Sequence, residues 1–185
     1  MDGNVIVGQS GGPTSVINSS LAGVYKTAID RGAKKVYGML HGIKGLLDGQ
    51  YVDLSEKINS TMDIDLLKRT PSSYLGSCRY KLPEISEDRE TFDKIFKILD
   101  DLDIKYFYIG GNDSMDTIKK LSDYAIVTGS DIKFMGVPKT IDNDLAVTDH
   151  TPGFGSAAKF IAATMKEIIR DGLVYDYPTV TIVEI

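Results

Sequence analysis

The sequence predicts an α/β domain built on an open, mostly parallel sheet. Short apolar runs alternate along the chain with amphipathic stretches of helical period, a pattern typical of a parallel sheet covered by helices. Two of the apolar runs end abruptly in polar loops, at residues 110–114 and 138–144. Because ligands bind at the carboxyl edge of open α/β sheets, we expect these two loops to share one crevice.

Strands and helices in the amino-terminal half differ in the spacing of their apolar residues. Residues 4–8 form a short continuous apolar run, and a glycine-rich turn follows it. Beyond the turn, apolar residues recur about every 3.6 positions until Gly32, which is a typical helix stop. Glycines at positions 42 and 45 indicate a loop over residues 41–45. The predicted strands span residues 4–8, 35–40 and 50–54, and the predicted helices span residues 16–29 and 63–69.

The carboxyl-terminal half continues the alternation of strands and helices. An amphipathic stripe containing Phe92, Ile95 and Leu99 predicts a long helix that packs on the sheet. Every predicted strand except the last is followed by a loop and a helix, so we expect residues 1–185 to be the amino-terminal domain of a longer protein. The predicted helices span residues 87–103, 114 onwards and 156–170, and the predicted strands span residues 105–109, 131–137 and 178–185.

Composition limits the classes of partner and compartment. Among 185 residues, 21 Lys and Arg against 26 Asp and Glu give a net charge of −5. Nucleic-acid binding needs a basic footprint, so we expect no nucleic-acid partner. The single cysteine, Cys78, excludes an internal disulfide, and no apolar run approaches the length of a membrane span. Because the amino terminus carries no signal-peptide pattern, we expect a cytoplasmic protein with no membrane partner.

The two polar loops contain the residue types that phosphoryl transfer requires. Gly110 and Gly111 let the backbone approach a phosphate closely, and Lys139 offers a point charge to a phosphate oxygen. An acidic side chain in the second loop can accept the proton of an attacking hydroxyl. Oxygen ligands of the kind that Mg²⁺ takes are present in both loops, at Asn112, Asp113, Asp142 and Asp144.

The same residue types also occur in ordinary turns and helix caps. Asp113 or Ser114 can be a helix N-cap, and residues 142–144 can form a solvated turn. The glycine pair that ends at Gly12 is more often a tight turn than a phosphate cradle, and Arg79 is either a solvated loop residue or a phosphate clamp. The position of both polar loops directly after strands favours a functional site.

Five motifs in register along nearly the whole chain resemble those of the phosphofructokinase family. The resemblance implies a Rossmann-like, three-layer α/β domain. It also implies transfer of a phosphoryl group to the 1-hydroxyl of fructose 6-phosphate, giving fructose 1,6-bisphosphate. The motifs are Ser-Gly-Gly at 10–12, Leu-Gly-Ser-Cys-Arg at 75–79, Gly-Gly-Asn-Asp-Ser at 110–114, Pro-Lys-Thr-Ile-Asp-Asn-Asp at 138–144 and Thr-Asp-His-Thr-Pro-Gly-Phe-Gly at 148–155.

The resemblance further implies roles for single residues. Asp142 would accept the proton of the hydroxyl, and Thr140 and Asp142 would contact the sugar phosphate. Mg²⁺ is the implied cofactor. Asn112 stands where the family usually has a metal-binding aspartate, so we expect Asp144 to carry more of the metal. The residues expected to bind the phosphoryl donor are Gly12, Arg79, Gly111, Asp113 and Ser114.

Asp113 and Lys139 resemble the branch of the family that uses pyrophosphate. ATP-using members typically carry glycine at both positions. A carboxylate at position 113 would exclude the α-phosphate of a nucleotide by its bulk and charge, and Lys139 would act on the transferring phosphoryl group. Two alternatives stay open, namely ATP as the donor and a non-catalytic relative that binds phosphate or sugar phosphate. We expect the full-length protein to be a homo-oligomer, because in this family neighbouring subunits help to complete the sugar-phosphate pocket.

Overall fold

The computed structural model describes residues 3–184, apart from the side chain of Tyr106, and contains a mixed sheet of five strands. In chain order the strands are β1 (Asn4–Gln9), β2 (Val36–Met39), β3 (Tyr51–Asp53), β4 (Ile104–Gly110) and β5 (Phe134–Pro138). Their order across the sheet is β3-β2-β1-β4-β5. β3 is antiparallel to β2 at one edge, and the other three pairings are parallel. The predicted α/β class with a mostly parallel sheet is therefore confirmed.

The strand order reverses beside β1. From β1 the chain proceeds to β2 and β3 on one side, and it later adds β4 and β5 on the other side. In sheets of this kind, the two connections leave the carboxyl ends of the neighbouring central strands in opposite directions, which opens a crevice between them. The fold therefore provides a binding crevice between the carboxyl ends of β1 and β4.

Helices cover both faces of the sheet and create two buried cores. α2, α4 and α5 contribute to one core and α1 and α3 to the other. β1 supplies Ile6 to the first core and Val5 and Val7 to the second, as expected from the alternation of side chains along a strand. The helices are α1 (Ile17–Asp30), α2 (Gly42–Leu47), α3 (Thr61–Arg69), α4 (Arg89–Asp101), α5 (Asn112–Thr128) and α6 (Phe154–Gly172), with a short 3₁₀ turn at Leu54–Glu56.

Two sequence predictions about elements were wrong. Residues 41–45 are not a loop, because α2 begins at Gly42 and is held in place by the burial of Ile43 and Leu46. Residues 178–184 form no strand, and Ile185 lies outside the described residues. Val180 and Ile182 are 90% and 91% exposed, so the β-forming composition of this segment has no neighbouring strand to pair with.

Helix α6 lies apart from both cores. None of its residues is buried, and Phe160 on its apolar face is 71% exposed. A single parallel bridge between Thr140 and Gly153 connects the loop after β5 to the start of this helix. None of the helices formed by residues 3–184 combines the length and the apolarity that crossing a bilayer requires.

Candidate active site

A cavity of about 560 Å³ lies at the carboxyl edge of the sheet, where β1, β4 and β5 end. It is lined by residues 10–12, 78–81 and 111–114 and by Lys139. The structure thus brings together both glycine-containing loops, the polar segment that carries Arg79 and the lysine of the second loop. The lining includes seven of the site residues predicted from sequence: Gly12, Arg79, Gly111, Asn112, Asp113, Ser114 and Lys139.

The junction between β4 and α5 requires glycine. A Cβ atom at Gly110 would lie 2.0 Å from the hydroxyl oxygen of Ser114, which is itself buried. Glycine therefore allows α5 to begin directly after the strand, with Gly111 as its N-cap. As a result, the first turn of a long helix faces the cavity.

The amino terminus of α5 gives this wall of the cavity a positive character. The first N–H groups of any helix lack partners within the helix, and the helix dipole adds a partial positive charge there. The N-cap residue Gly111 forms no side-chain capping hydrogen bond, and α5 is 17 residues long, so the dipoles of many peptide units add at this terminus. Backbone N–H groups in this geometry bind phosphate and other anions.

Lys139 is a buried cation. The residue is 8% exposed, and within residues 3–184 its ammonium forms no ion pair. Cβ atoms placed on Gly11 and Gly111 would lie 3.4 Å and 3.7 Å from Nζ, so the ammonium sits between the two glycine loops. Burial lowers the pKa of Lys139, and the negative charge of Asp142 opposes that shift to a smaller extent. An anion in the cavity would stabilise the charged form.

The charged side chains that line the cavity are mainly cationic. Among the lining residues that the structure describes, three are cationic, namely Arg79, Lys81 and Lys139, and one is a carboxylate, Asp113. This local excess of positive charge occurs in a protein whose net charge is −5. The cavity is therefore suited to a small anion. The carboxylate of Asp113 reduces the space beside the α5 terminus and repels a further negative group there.

The second loop is folded back on itself by its own hydrogen bonds. The Thr140 amide donates to the Pro152 carbonyl at 3.0 Å, and the Thr151 hydroxyl donates to the Thr140 carbonyl at 3.1 Å. The backbone amide of Asp142 donates to the Thr140 hydroxyl at 3.0 Å, and Asp142 itself is exposed. Asp142 lies near enough to Lys139 to affect the pKa of that lysine. This arrangement places a carboxylate beside the cavity rather than inside it.

Three predicted site residues lie outside the cavity lining, namely Thr140, Asp142 and Asp144. Asp144 is exposed, and Asn112 lines the cavity, so the structure does not unite these two predicted metal ligands within the cavity. Within residues 3–184, no group of three or more His, Cys, Asp or Glu side chains forms a metal cluster. The roles predicted for these residues stay predictions.

Several lining residues were not predicted to belong to the site. Ser10, Cys78, Tyr80 and Lys81 all line the cavity. The sequence signal was available for Lys81, which is a second cation two residues after Arg79 in the same polar segment. The sulfur of Cys78 lies 3.9 Å from the hydroxyl oxygen of the buried Tyr108.

Comparison with known sequences identifies relatives of this chain. The profile of the family described as Phosphofructokinase matches residues 4–185. The pyrophosphate–fructose 6-phosphate 1-phosphotransferase of Rhodospirillum rubrum is 44% identical over 171 residues, which are 91% of this chain and 41% of that protein. The protein of the same name from Xanthomonas campestris is 45% identical over 171 residues, or 92% of this chain and 40% of that protein. The chain thus spans about two fifths of the length of these curated relatives.

A solved structure also resembles the fold described above. The crystal structure of the pyrophosphate-dependent phosphofructokinase from Nitrosospira multiformis superimposes with a TM-score of 0.81 and 40% sequence identity. The similarity covers 91% of this chain and 41% of the other. The family profile, the sequence identity and the shared fold agree, so this chain belongs to the phosphofructokinase family.

Proposed function

We propose that the whole protein transfers a phosphoryl group from pyrophosphate to the 1-hydroxyl of fructose 6-phosphate. The observation that carries this proposal is the buried Lys139 ammonium, unpaired within residues 3–184, which faces a cavity formed by the α5 terminus and the glycine loop after β1. A buried charge of this kind is costly unless an anion compensates it. The names of the similar proteins support the identity of the anion and of the acceptor.

The donor would lie along the cavity wall formed by residues 111–114. N–H groups of the α5 terminus would bind its oxygens, and Arg79 and Lys139 would neutralise its charge. Gly12 leaves room there, since a Cβ atom at this position would meet nothing within 4 Å. The carboxylate of Asp113 would repel the α-phosphate of a nucleotide, which favours pyrophosphate over ATP.

In the reaction, the bond between the bridging oxygen and one phosphorus of pyrophosphate breaks, and a bond from that phosphorus to the sugar O1 forms. Asp142 would take the proton of the hydroxyl, and the second phosphate leaves. The exposed carboxylate of Asp142 suits this role because the acceptor sugar can reach it from solvent. Thr140 would contact the sugar phosphate and positions Asp142 by accepting a hydrogen bond from its amide. The products are fructose 1,6-bisphosphate and phosphate, and the reaction is reversible.

A magnesium ion would be bound mainly through the donor, because the cavity lining offers it few oxygen ligands of its own. Mg²⁺ in phosphate sites keeps several waters and takes only one or two protein ligands. Asn112 would supply an amide oxygen from the cavity lining. Asp144, which is exposed and outside the lining, would supply a carboxylate to an ion held by the donor. When bound, Mg²⁺ would neutralise charge on the diphosphate. We further propose that the protein acts in the cytoplasm as a homo-oligomer, in which neighbouring subunits complete the sugar-phosphate pocket.

The test is a comparison of phosphoryl donors with the whole protein. Formation of fructose 1,6-bisphosphate is measured with pyrophosphate and with ATP at matched concentrations of Mg²⁺. A higher kcat/KM for pyrophosphate is the expected result. A clear preference for ATP would refute the assignment of the donor, and binding of pyrophosphate without turnover would favour a non-catalytic relative.

A further inference from the structure

Gln9, the last residue of β1, is fully buried. The hydrogen bonds of its side chain all reach residues outside the sheet. Its amide nitrogen donates to the Ile17 carbonyl at 3.1 Å and to the Asn18 side-chain oxygen at 3.0 Å. Its amide oxygen accepts a hydrogen bond from the Leu75 amide at 2.9 Å and lies 2.9 Å from the Ser73 hydroxyl, whose single proton is shared with the Gly76 carbonyl at 2.6 Å. Gln9 therefore connects the end of β1 to the start of α1 and to the loop after α3.

Asn18 in α1 makes further hydrogen bonds to the same loop. It is also fully buried, and its side-chain oxygen accepts from the Tyr74 amide at 2.9 Å. Its side-chain nitrogen donates to the Thr70 carbonyl at 2.9 Å. Gln9 and Asn18 together hold four positions of a segment that has no regular secondary structure of its own.

The segment fixed in this way leads directly into the cavity. After Leu75, the Ser77 hydroxyl donates to the Gly11 carbonyl at 2.6 Å, and the Ser10 hydroxyl donates to the Cys78 carbonyl at 3.3 Å. The next residue is Arg79, which lines the same cavity as the α5 terminus. The amides thus set the path of the chain four to nine residues before the arginine, and the two serines complete the attachment.

The polar character of positions 9 and 18 is costly if these residues only fill the core. A buried amide is favourable only when its hydrogen bonds are satisfied, whereas a well-packed apolar side chain carries no such condition. Gln9 satisfies its two N–H donors and accepts two bonds, and the accepted bonds come from the segment that precedes Arg79. The arrangement is suited to fixing a loop in a single conformation.

We propose that Gln9 and Asn18 are positioning residues for the phosphoryl donor, acting through Arg79. They hold residues 70–78 against the end of the sheet, so that the guanidinium of Arg79 reaches the anion in the cavity without a further ordering cost. This inference rests on the proposed function, which supplies the pyrophosphate that Arg79 binds.

A double-mutant cycle in the whole protein tests the inference. Affinity for Mg-pyrophosphate is measured by calorimetry for the wild type, Gln9→Met, Arg79→Ala and the double variant. Methionine keeps the length of glutamine and removes its hydrogen bonds. Each single change is expected to weaken binding about tenfold, since charge-assisted contacts and their alignment contribute on this scale. Because Gln9 acts through Arg79, the double variant should bind no more than about twofold more weakly than Arg79→Ala.

Two further variants separate positioning from a general loss of stability. Tyr25→Phe removes the buried hydrogen bond from α1 to the Ile58 carbonyl, 3.0 Å long, and should leave pyrophosphate affinity within about twofold of wild type. Ser73→Ala removes a half-buried hydroxyl that contacts both Gln9 and the Gly76 carbonyl within the same segment, and should follow the same cycle with Arg79 at roughly threefold. Hydrogen exchange without ligand should become faster at the Leu75 amide in Gln9→Met and stay unchanged there in Tyr25→Phe.

The outcomes distinguish the inference from the function on which it rests. Multiplicative losses in the double variants, with normal affinity in the wild type, would overturn the inference and leave the proposed function intact. Unchanged exchange at Leu75 in Gln9→Met would overturn it as well. A wild-type protein that does not bind Mg-pyrophosphate would overturn the proposed function and the inference with it.

Discussion

Replacing Lys139 with methionine should change stability and binding in opposite directions. The side chain is 8% exposed, its ammonium has no ion-pair partner within residues 3–184, and burial lowers its pKa. Methionine matches the length of lysine and carries no charge to desolvate. We expect Lys139→Met to raise the free energy of unfolding by about 0.5–2 kcal/mol, the usual gain when a functional but costly group is removed.

The stability gain should depend on pH in a defined direction. A pKa that is lower in the folded protein means that the unfolded chain holds the proton more tightly, so wild-type stability rises between the lowered pKa and the ordinary value of 10.5. The advantage of Lys139→Met is therefore full below the lowered pKa and shrinks as the pH rises through that window. Urea unfolding of the whole protein at several pH values measures this difference.

The same substitution should weaken the binding of Mg-pyrophosphate. Loss of a charge-assisted hydrogen bond costs roughly 1.5–3 kcal/mol, which corresponds to about a tenfold to hundredfold increase in Kd. Lys133→Met, at an exposed position of the segment that leads into β5, is the matched control and should affect neither quantity by more than about 0.5 kcal/mol. If Lys139→Met lowers the stability and leaves Kd unchanged, the ammonium stabilises the fold and does not bind the anion.

Three further substitutions test the site. Asp142→Ser should leave the free energy of unfolding within about 0.5 kcal/mol of wild type, because the side chain is exposed. It should lower kcat by roughly 10²–10⁴-fold. Near-normal turnover would exclude Asp142 as the base. Asp113→Gly should raise kcat/KM for ATP, and no gain would contradict exclusion of nucleotides by this carboxylate. Gly110→Ala should destabilise the protein by about 1–3 kcal/mol in urea unfolding, because the added Cβ would lie 2.0 Å from the Ser114 hydroxyl oxygen. Gly23→Ala in α1, where the added atom meets nothing within 4 Å, should instead stabilise it slightly, and equal effects at both glycines would refute the steric explanation.

Elements with a strong apolar period were predictable from the sequence, and elements decided by tertiary packing were not. The stripe in the predicted helix at 87–103 corresponds to α4, whose apolar face is buried in one of the two cores. α2 contains two glycines in six residues and forms because Ile43 and Leu46 reach the core. Residues 178–184 have the composition of a strand but not its partner. Local sequence cannot report what lies beside a segment in space.

The candidate site was predictable where chemistry and chain position coincide. Gly111, Asp113 and Lys139 follow strands that the sequence marks clearly, and parallel neighbours bring such loops together. Gln9 lay just after the predicted strand and Asn18 lay inside the predicted helix. Both were missed because an amide in either place carries no sign of its partners. The contacts of Gln9 with Ser73 and Leu75 cross more than 60 residues of sequence, and only the folded chain reveals them.

The register of β5 against β4 determines on which side of the sheet Lys139 lies. Lys139 follows the rung between Gly110 and Pro138, so a slip of one residue would send its side chain to the opposite side of the sheet. Gly136 lies under α5, where any Cβ atom would approach the sulfur of Met115 to 2.6 Å. A slipped strand would bring the side chain of Met135 or Val137 to that point, and the Met115 side chain would have to move to make room for it. The glycine under α5 therefore favours the same strand register that brings Lys139 to the cavity.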